Sequence, residues 1–149
     1  MKILTYLFPS KEETPKVSAL FLAARVIFAL LLASHGWQKL MGFSALAGQF
    51  PDPLGLGSEV SLSLAIFGEL VCSVAVVFGF LTRLALIPMA FTMLVAFIGA
   101  HGGSIAEGEL AFAYLVVFVL LLIGGPGRYS ADAFLGRRLV ALKAGRGAA

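Results

Sequence analysis

Apolar residues fall into four long blocks, separated by short polar or glycine-rich breaks. The first runs from about Val17 to Leu40 and the second from about Val60 to Leu81. The third runs from about Leu84 to Ala100 and the fourth from about Leu110 to Ile123. A helix rises about 1.5 Å per residue, so the longer blocks are long enough to cross a hydrocarbon core of about 30 Å. The block ends carry helix signals. Thr14 is placed to cap the first helix, with Pro15 at its first position. Ser58 is placed to cap the second, with Glu59 in its first turn. Pro88 predicts a mild kink early in the third. Gly124-Gly125-Pro126-Gly127 is a strong stop for the fourth. The pattern predicts an all-α integral membrane four-helix bundle.

Three connections follow. Met41 to Glu59 is the one long loop and contains Pro51, Asp52, Pro53, Gly55 and Gly57. Thr82-Arg83 reads as a tight hairpin, and His101 to Gly108 as a glycine-rich loop carrying Glu107. After Tyr129 an amphipathic tail is expected over about Asp132 to Leu142. In it, Phe134, Leu135, Leu139 and Leu142 would lie in the membrane interface, with Arg137, Arg138 and Lys143 toward headgroups. Met1 to Phe8 reads as a smaller interfacial segment. No secretory signal is expected, because its opening apolar run is too short and Pro9 to Lys16 is polar.

Composition strengthens the membrane reading. Of 149 residues, 60% are hydrophobic and 13% charged, with a mean hydropathy of +0.99. Soluble domains carry about 25% charged residues. Such a length covers a few spans and short loops, so residues 1–149 read as a single membrane domain. The net charge of +3 comes without a basic stripe interleaved with aromatics, so nucleic acid is not an expected partner. Cys72 is the single cysteine, which excludes an internal disulfide or a paired-thiol redox centre. Lys2, Lys11, Lys16, Arg83, Arg128, Arg137, Arg138, Lys143 and Arg146 fall on one side of the predicted bundle, against Lys39 at most on the other. The positive-inside rule then predicts both termini in the cytoplasm of a bacterial inner membrane.

Against this apolar background the polar residues stand out. Glu69 lies near the middle of the second span, where a carboxylate costs about 2.5–3.5 kcal/mol unless paired, protonated or hydrated. Arg25 interrupts the first span in the same way. His35, Lys39, His101 and Glu109 mark span ends. Helical geometry puts Arg25, Gly36 and Lys39 on one face, with Lys39 about 20 Å above Arg25. Arg25, His35, Lys39, Glu69, His101 and Glu109 are thus the candidate intramembrane polar site. Each also has a structural reading. Arg25 and Glu69 would make an ion pair that sets helix register. Lys39 would be a snorkelling anchor. His101 and Glu109 would cap their loop, and His35 would bond a neighbouring helix. Cys72 reads as packing, Trp37 as an interface aromatic and Arg83 as a topology anchor. Haem is disfavoured, because nothing in the sequence around His35 and His101 asks for it. A metal is disfavoured, because His35, His101, Glu69 and Glu109 lack a diagnostic spacing.

Several stretches taken in order resemble the DoxX family of small bacterial membrane proteins. They are Arg25, His35-Gly36-Trp37-Gln38-Lys39-Leu40, Gly68-Glu69, Gly79-Phe80-Leu81-Thr82-Arg83 and Gly125-Pro126-Gly127-Arg128-Tyr129-Ser130-Ala131-Asp132. The resemblance covers roughly Leu20 to Asp132. It implies a four-helix membrane bundle and a redox association, since the family takes its name from a membrane subunit of a thiosulfate:quinone oxidoreductase. It carries over Arg25, Gly36, Lys39, Glu69, Arg83 and the Gly125 to Asp132 turn, where Asp132 is expected to cap the tail. On this resemblance the leading expectation is an accessory or quinone-interacting subunit of a membrane redox complex, in which Glu69 with Arg25 and the outer cluster of His35, Lys39, His101 and Glu109 would orient a headgroup or relay protons. The expected partners are the lipid bilayer, other membrane or redox subunits, and further copies of the chain. Two alternatives stay open: a non-enzymatic assembly subunit, and a small proton-linked transporter.

Overall fold

A computed structural model describes residues 14–146, with side chains through residue 142. The segment Met1 to Phe8 and the Lys143 side chain lie outside the described residues. Within them the chain is helical, with no strand. The four span helices are α1 (Pro15–Met41), α3 (Ser58–Phe78), α4 (Thr82–Ala100) and α5 (Ile105–Gly124). A short α2 (Phe43–Leu46) sits in the long loop, and α6 (Ala131–Arg146) forms the tail. All four spans are long and apolar enough to cross a membrane.

The spans form a ring in which α1 packs on α3, α3 on α4, α4 on α5, and α5 on α1. The core joins Ala29 and Leu32 of α1, Cys72 and Val76 of α3, Leu86, Met89 and Met93 of α4, and Tyr114, Phe118 and Leu121 of α5. Large apolar residues such as Leu30, Phe78, Phe91 and Ile123 point outward, as lipid contact allows. Lipid removes the hydrophobic drive between helices, so close approach comes from small residues. At Gly36 an added Cβ would lie 2.8 Å from the Leu70 nitrogen and 2.9 Å from the Glu69 carbonyl carbon. The missing side chain lets α1 touch the backbone of α3 directly.

Both ends of the bundle differ from the sequence expectation in informative ways. The hairpin between α3 and α4 is Gly79 to Leu81 rather than Thr82-Arg83, and Thr82 already opens α4. Gly79 takes a left-handed φ of 70°, which ends α3, and Leu81 follows at φ 46°. Asp132 does not cap the tail. Its carboxylate accepts the Leu81 and Thr82 N–H groups at 2.7 and 2.8 Å, so it caps α4 across the fold. Ser130 caps the tail instead, accepting the Ala133 N–H at 3.1 Å. The tail extends through Arg146, beyond the expected end near Leu142.

At the other end α5 begins at Ile105, ahead of the expected Leu110. Glu107 and Glu109 are exposed within its first turns, where charge is compatible with a helix. Gly108 leaves helical geometry there and marks a kink. Thr14 occupies the cap position of α1 without a side-chain bond. Ser58 is the first residue of α3 rather than its cap; its hydroxyl donates to the Phe50 carbonyl at 2.7 Å. Two π-helical segments break the regular ladder: Phe67–Val71 in α3 and Ala96–Ala100 closing α4.

Candidate functional site

Glu69 lies inside the π-helical segment of α3 and is only 3% exposed. Its partner is Lys39 of α1, whose Nζ meets both carboxylate oxygens. The pairing follows from helix direction. Side chains tilt toward the N-terminus of their helix, and α1 and α3 run antiparallel. Lys39 therefore reaches down from the loop end while Glu69 reaches up toward it. Gly36, one turn before Lys39, brings the two backbones into contact at that level. The π segment adds a residue to the turn and re-aims the carboxylate, a device that often accompanies functional positions.

The pair faces a cavity of about 430 Å³ between α3 and α4. Its walls are largely apolar, including Leu64, Phe67, Phe91 and Val95, and among the described residues Lys39 and Glu69 are the only charged ones that line it. Ser61 and Thr92 add two hydroxyls, although the Thr92 hydroxyl donates back to the Pro88 carbonyl at 2.9 Å. Phe50, Pro51, Pro53 and Leu54 of the long loop close the loop end. A volume of this order lies in the range of small-molecule sites, about 300–1,000 Å³, and apolar walls with few polar groups are typical of them.

Behind the pair, Tyr114 of α5 is buried and lies near enough to Glu69 to feel its charge. Its ring packs against Phe28, Phe118 and the edge of His35, with centroids 5.9, 5.7 and 6.4 Å away. The sequence reading passed over Tyr114, Asp52, Thr92 and the Phe50 to Leu54 roof. For Asp52 a signal was present: an acid between two prolines, followed by Gly55 and Gly57 and then by a helix start.

The other candidate residues lie elsewhere. Arg25 does not pair with Glu69. It is 2% exposed, and its guanidinium donates to the carbonyls of Pro126 (2.7 Å) and Tyr129 (2.9 Å). Asp132 adds electrostatic attraction, and the Asp132 N–H donates to the Gly79 carbonyl at 2.9 Å. Arg25 therefore ties α1 to the glycine-proline turn and the α3–α4 hairpin at the end where the tail begins. Its depth is the reason: Lys39 lies about 20 Å further along the same helix and is the cation within reach of Glu69. Lys39 is an ion-pair partner rather than a snorkelling anchor. His35 is exposed on α1 beside Tyr114. His101 bonds the Ala96 carbonyl through Nδ1 at 2.9 Å, closing its own helix end. Glu109 is exposed on α5. Among the described residues, no three of His, Cys, Asp and Glu converge as metal ligands.

A sequence model of the DoxX family matches residues 20–102. Inner membrane protein YqjF of Escherichia coli (strain K12) is 34% identical over 124 residues, covering 78% of this chain and 92% of the relative. The uncharacterized membrane protein Rv3486 of Mycobacterium tuberculosis (strain ATCC 25618 / H37Rv) is 30% identical over 141 residues, covering 78% and 82%. Inner membrane protein YphA of E. coli is 32% identical over 124 residues, covering 76% and 88%. No solved structure gives a significant match. The matched region holds Arg25, Lys39, Glu69 and the cavity walls, and together with the four spans it establishes that this chain belongs to the DoxX family as a multi-pass protein of a bacterial inner membrane.

Proposed function

We propose that the cavity between α3 and α4 binds a lipid-soluble quinone, and that Lys39 and Glu69 handle its polar end as part of a membrane redox complex. One observation carries this reading: among the described residues, a single ion pair supplies the charge in an otherwise apolar, ligand-sized cavity. A quinone has the matching shape, a ring with two carbonyl acceptors on an apolar body. Lys39 donates a hydrogen bond toward a ring oxygen. Glu69 passes a proton to the ring oxygen as the ring is reduced and takes a replacement from water. Phe67 and Phe91 seat the ring and chain. Two electrons are assigned to a partner oxidoreductase subunit, and this chain supplies the binding site and passes two protons in turn through Glu69, which together make the quinol.

The test is purification in mild detergent, followed by lipid extraction and quinone quantification. Wild-type protein is expected to retain quinone near stoichiometrically, and Lys39→Met and Glu69→Gln to lose about tenfold or more, as removal of a hydrogen bond to a charged group predicts. Wild-type protein without quinone and without saturable uptake of a short-chain analogue would rule the reading out.

A second reading has its own observation. The pair bridges α1 and α3 beside the Gly36 contact and so braces two helices. If Lys39→Met with Glu69→Met keeps both assembly and quinone retention, the pair is a brace and the cavity binds quinone without it.

A further inference from the structure

The cavity has two boundaries of different kinds. On the side toward lipid stand Phe67 and Phe91, both lining residues and both about half exposed. Toward the loop end stands the Pro51 to Leu54 roof. The roof is held by Asp52, whose carboxylate accepts the Gly57 N–H at 2.7 Å, the Leu56 N–H at 2.9 Å and the Ser61 hydroxyl at 2.7 Å. The Ser58 hydroxyl bonds the Phe50 carbonyl at 2.7 Å. Each of these bonds ends on the loop itself or on the first turn of α3. Toward α4 the roof presents Pro53, which has no N–H to donate. The contact there is apolar: an added Cβ at Gly99 would lie 3.0 Å from the Pro53 Cβ. The roof is thus latched to one wall of the cavity and merely rests on the other.

We propose that the Pro51 to Leu54 roof is a water gate over Lys39 and Glu69, latched by Asp52 and Ser61, while an apolar ligand enters between α3 and α4 from the lipid. The inference rests on reading the cavity as a ligand site. It gives the site separate routes for its two reactants, water-borne protons and a lipid-borne molecule. Asp52 is then a positioning residue: it touches no ligand and sets how often the pair meets water. Lifting Pro53 off Gly99 breaks no hydrogen bond to α4, whereas releasing the loop from α3 breaks the bonds to Asp52. Loss of the latch therefore leaves the Ser58–Phe50 bond as the roof's remaining tie to α3 among the described residues.

The experiment uses a reporter thiol, Thr92→Cys, in a Cys72→Ala background in phosphatidylcholine nanodiscs, where both faces are open to reagent. Labelling rates are measured with a charged, membrane-impermeant methanethiosulfonate and with lipid-soluble N-ethylmaleimide. Asp52→Asn and Ser61→Ala are expected to raise the charged-reagent rate about tenfold, the ratio that a lost charge-assisted hydrogen bond implies, with the maleimide rate unchanged. The maleimide rate and a monodisperse elution profile report intact folding. A cross-link supplies the converse. With Pro53→Cys and Gly99→Cys added and oxidised, charged labelling of the reporter should fall, and a reductant should restore it. Equal charged-reagent rates with and without the latch, or a cross-linked protein that still labels at the unlatched rate, would overturn the gate. Absence of quinone from the purified protein would leave these rates as they are, so the two readings fail separately.

Discussion

Lys39 and Glu69 show how unevenly a buried ion pair divides its cost. Joining two charges offsets the desolvation of each, whereas removing one partner leaves the other stranded. The Lys39 side chain is partly exposed and the Glu69 side chain almost wholly buried, so the asymmetry falls on Glu69. Lys39→Met is expected to destabilise the protein by about 3–5 kcal/mol. Lys39→Met with Glu69→Met should recover most of that loss, and a double-mutant cycle on thermal unfolding in detergent measures it. Additive single effects would show that the pair is not coupled. The identity of Glu69 as the costly residue was legible from the sequence, because a carboxylate mid-span has few excuses. Its partner was not. Arg25 and Lys39 share a face of one helix, and only the depth of Glu69 on the facing helix selects between them.

At the scale of elements, the caps are what the sequence misassigned. Asp132 stands at the start of the tail and caps α4, because the turn after α5 folds back beneath the α3–α4 hairpin. Asp52 lies in a loop and serves as the latch at the start of α3. Local rules assign a cap to the helix that follows it in the chain. Asp132 instead satisfies backbone groups some fifty residues earlier, brought near by folding, whereas Asp52 serves its own loop and the helix that follows it. The Asp52 environment also fixes a pH dependence. The Ser61 hydroxyl and then the Gly57 N–H, with smaller help from Leu56 and Gly55, hold its carboxyl below the usual carboxylate pKa against a weaker opposing effect of desolvation. A carboxyl with a lowered folded pKa contributes in full above its unfolded pKa of about 3.9. That contribution is lost as pH falls through the folded value. The latch is therefore closed at neutral pH and released only in acid. Hydrogen exchange at the Leu56 and Gly57 amides, corrected for intrinsic rate, should stay protected down to about pH 4 in the wild type and lose protection only in stronger acid. It should be weak at every pH in Asp52→Asn. Wild-type protection at neutral pH no greater than that of Asp52→Asn would contradict the latch.

For the whole molecule, the bundle holds two polar assemblies about 20 Å apart along α1. Arg25, Asp132 and the glycine-proline turn lock the end where the tail begins, and Lys39, Glu69, the cavity and its roof occupy the other half. Rigidity at one end lets the other carry a cavity, since the core packing between α1, α3, α4 and α5 is carried by residues such as Leu32, Val76, Leu86 and Phe118. The basic residues cluster at the locked end. By the positive-inside rule that end is expected in the cytoplasm, with the roof facing the opposite side. Ser44→Cys, exposed on α2, should react with an impermeant maleimide in spheroplasts. Protection there, with labelling only after lysis, would reverse the orientation and place the roof in the cytoplasm.

The sequence by itself determined the membrane class, the four spans and the unusual status of Glu69. Those follow from the solvent: a run of apolar residues long enough to cross lipid must be helical, and a charge within it needs a reason. Span ends were legible to within a few residues, except where Gly79 and Leu81 turn the chain and where α5 starts among acids. Tertiary structure alone decided that Lys39 rather than Arg25 answers Glu69, that a cavity opens beside the pair, and that Asp52 holds its roof. These depend on depth and register between helices, on π segments that shift a side chain by part of a turn, and on loops folded over a wall. No periodicity within a single helix encodes such relations, because they exist only once separate helices meet.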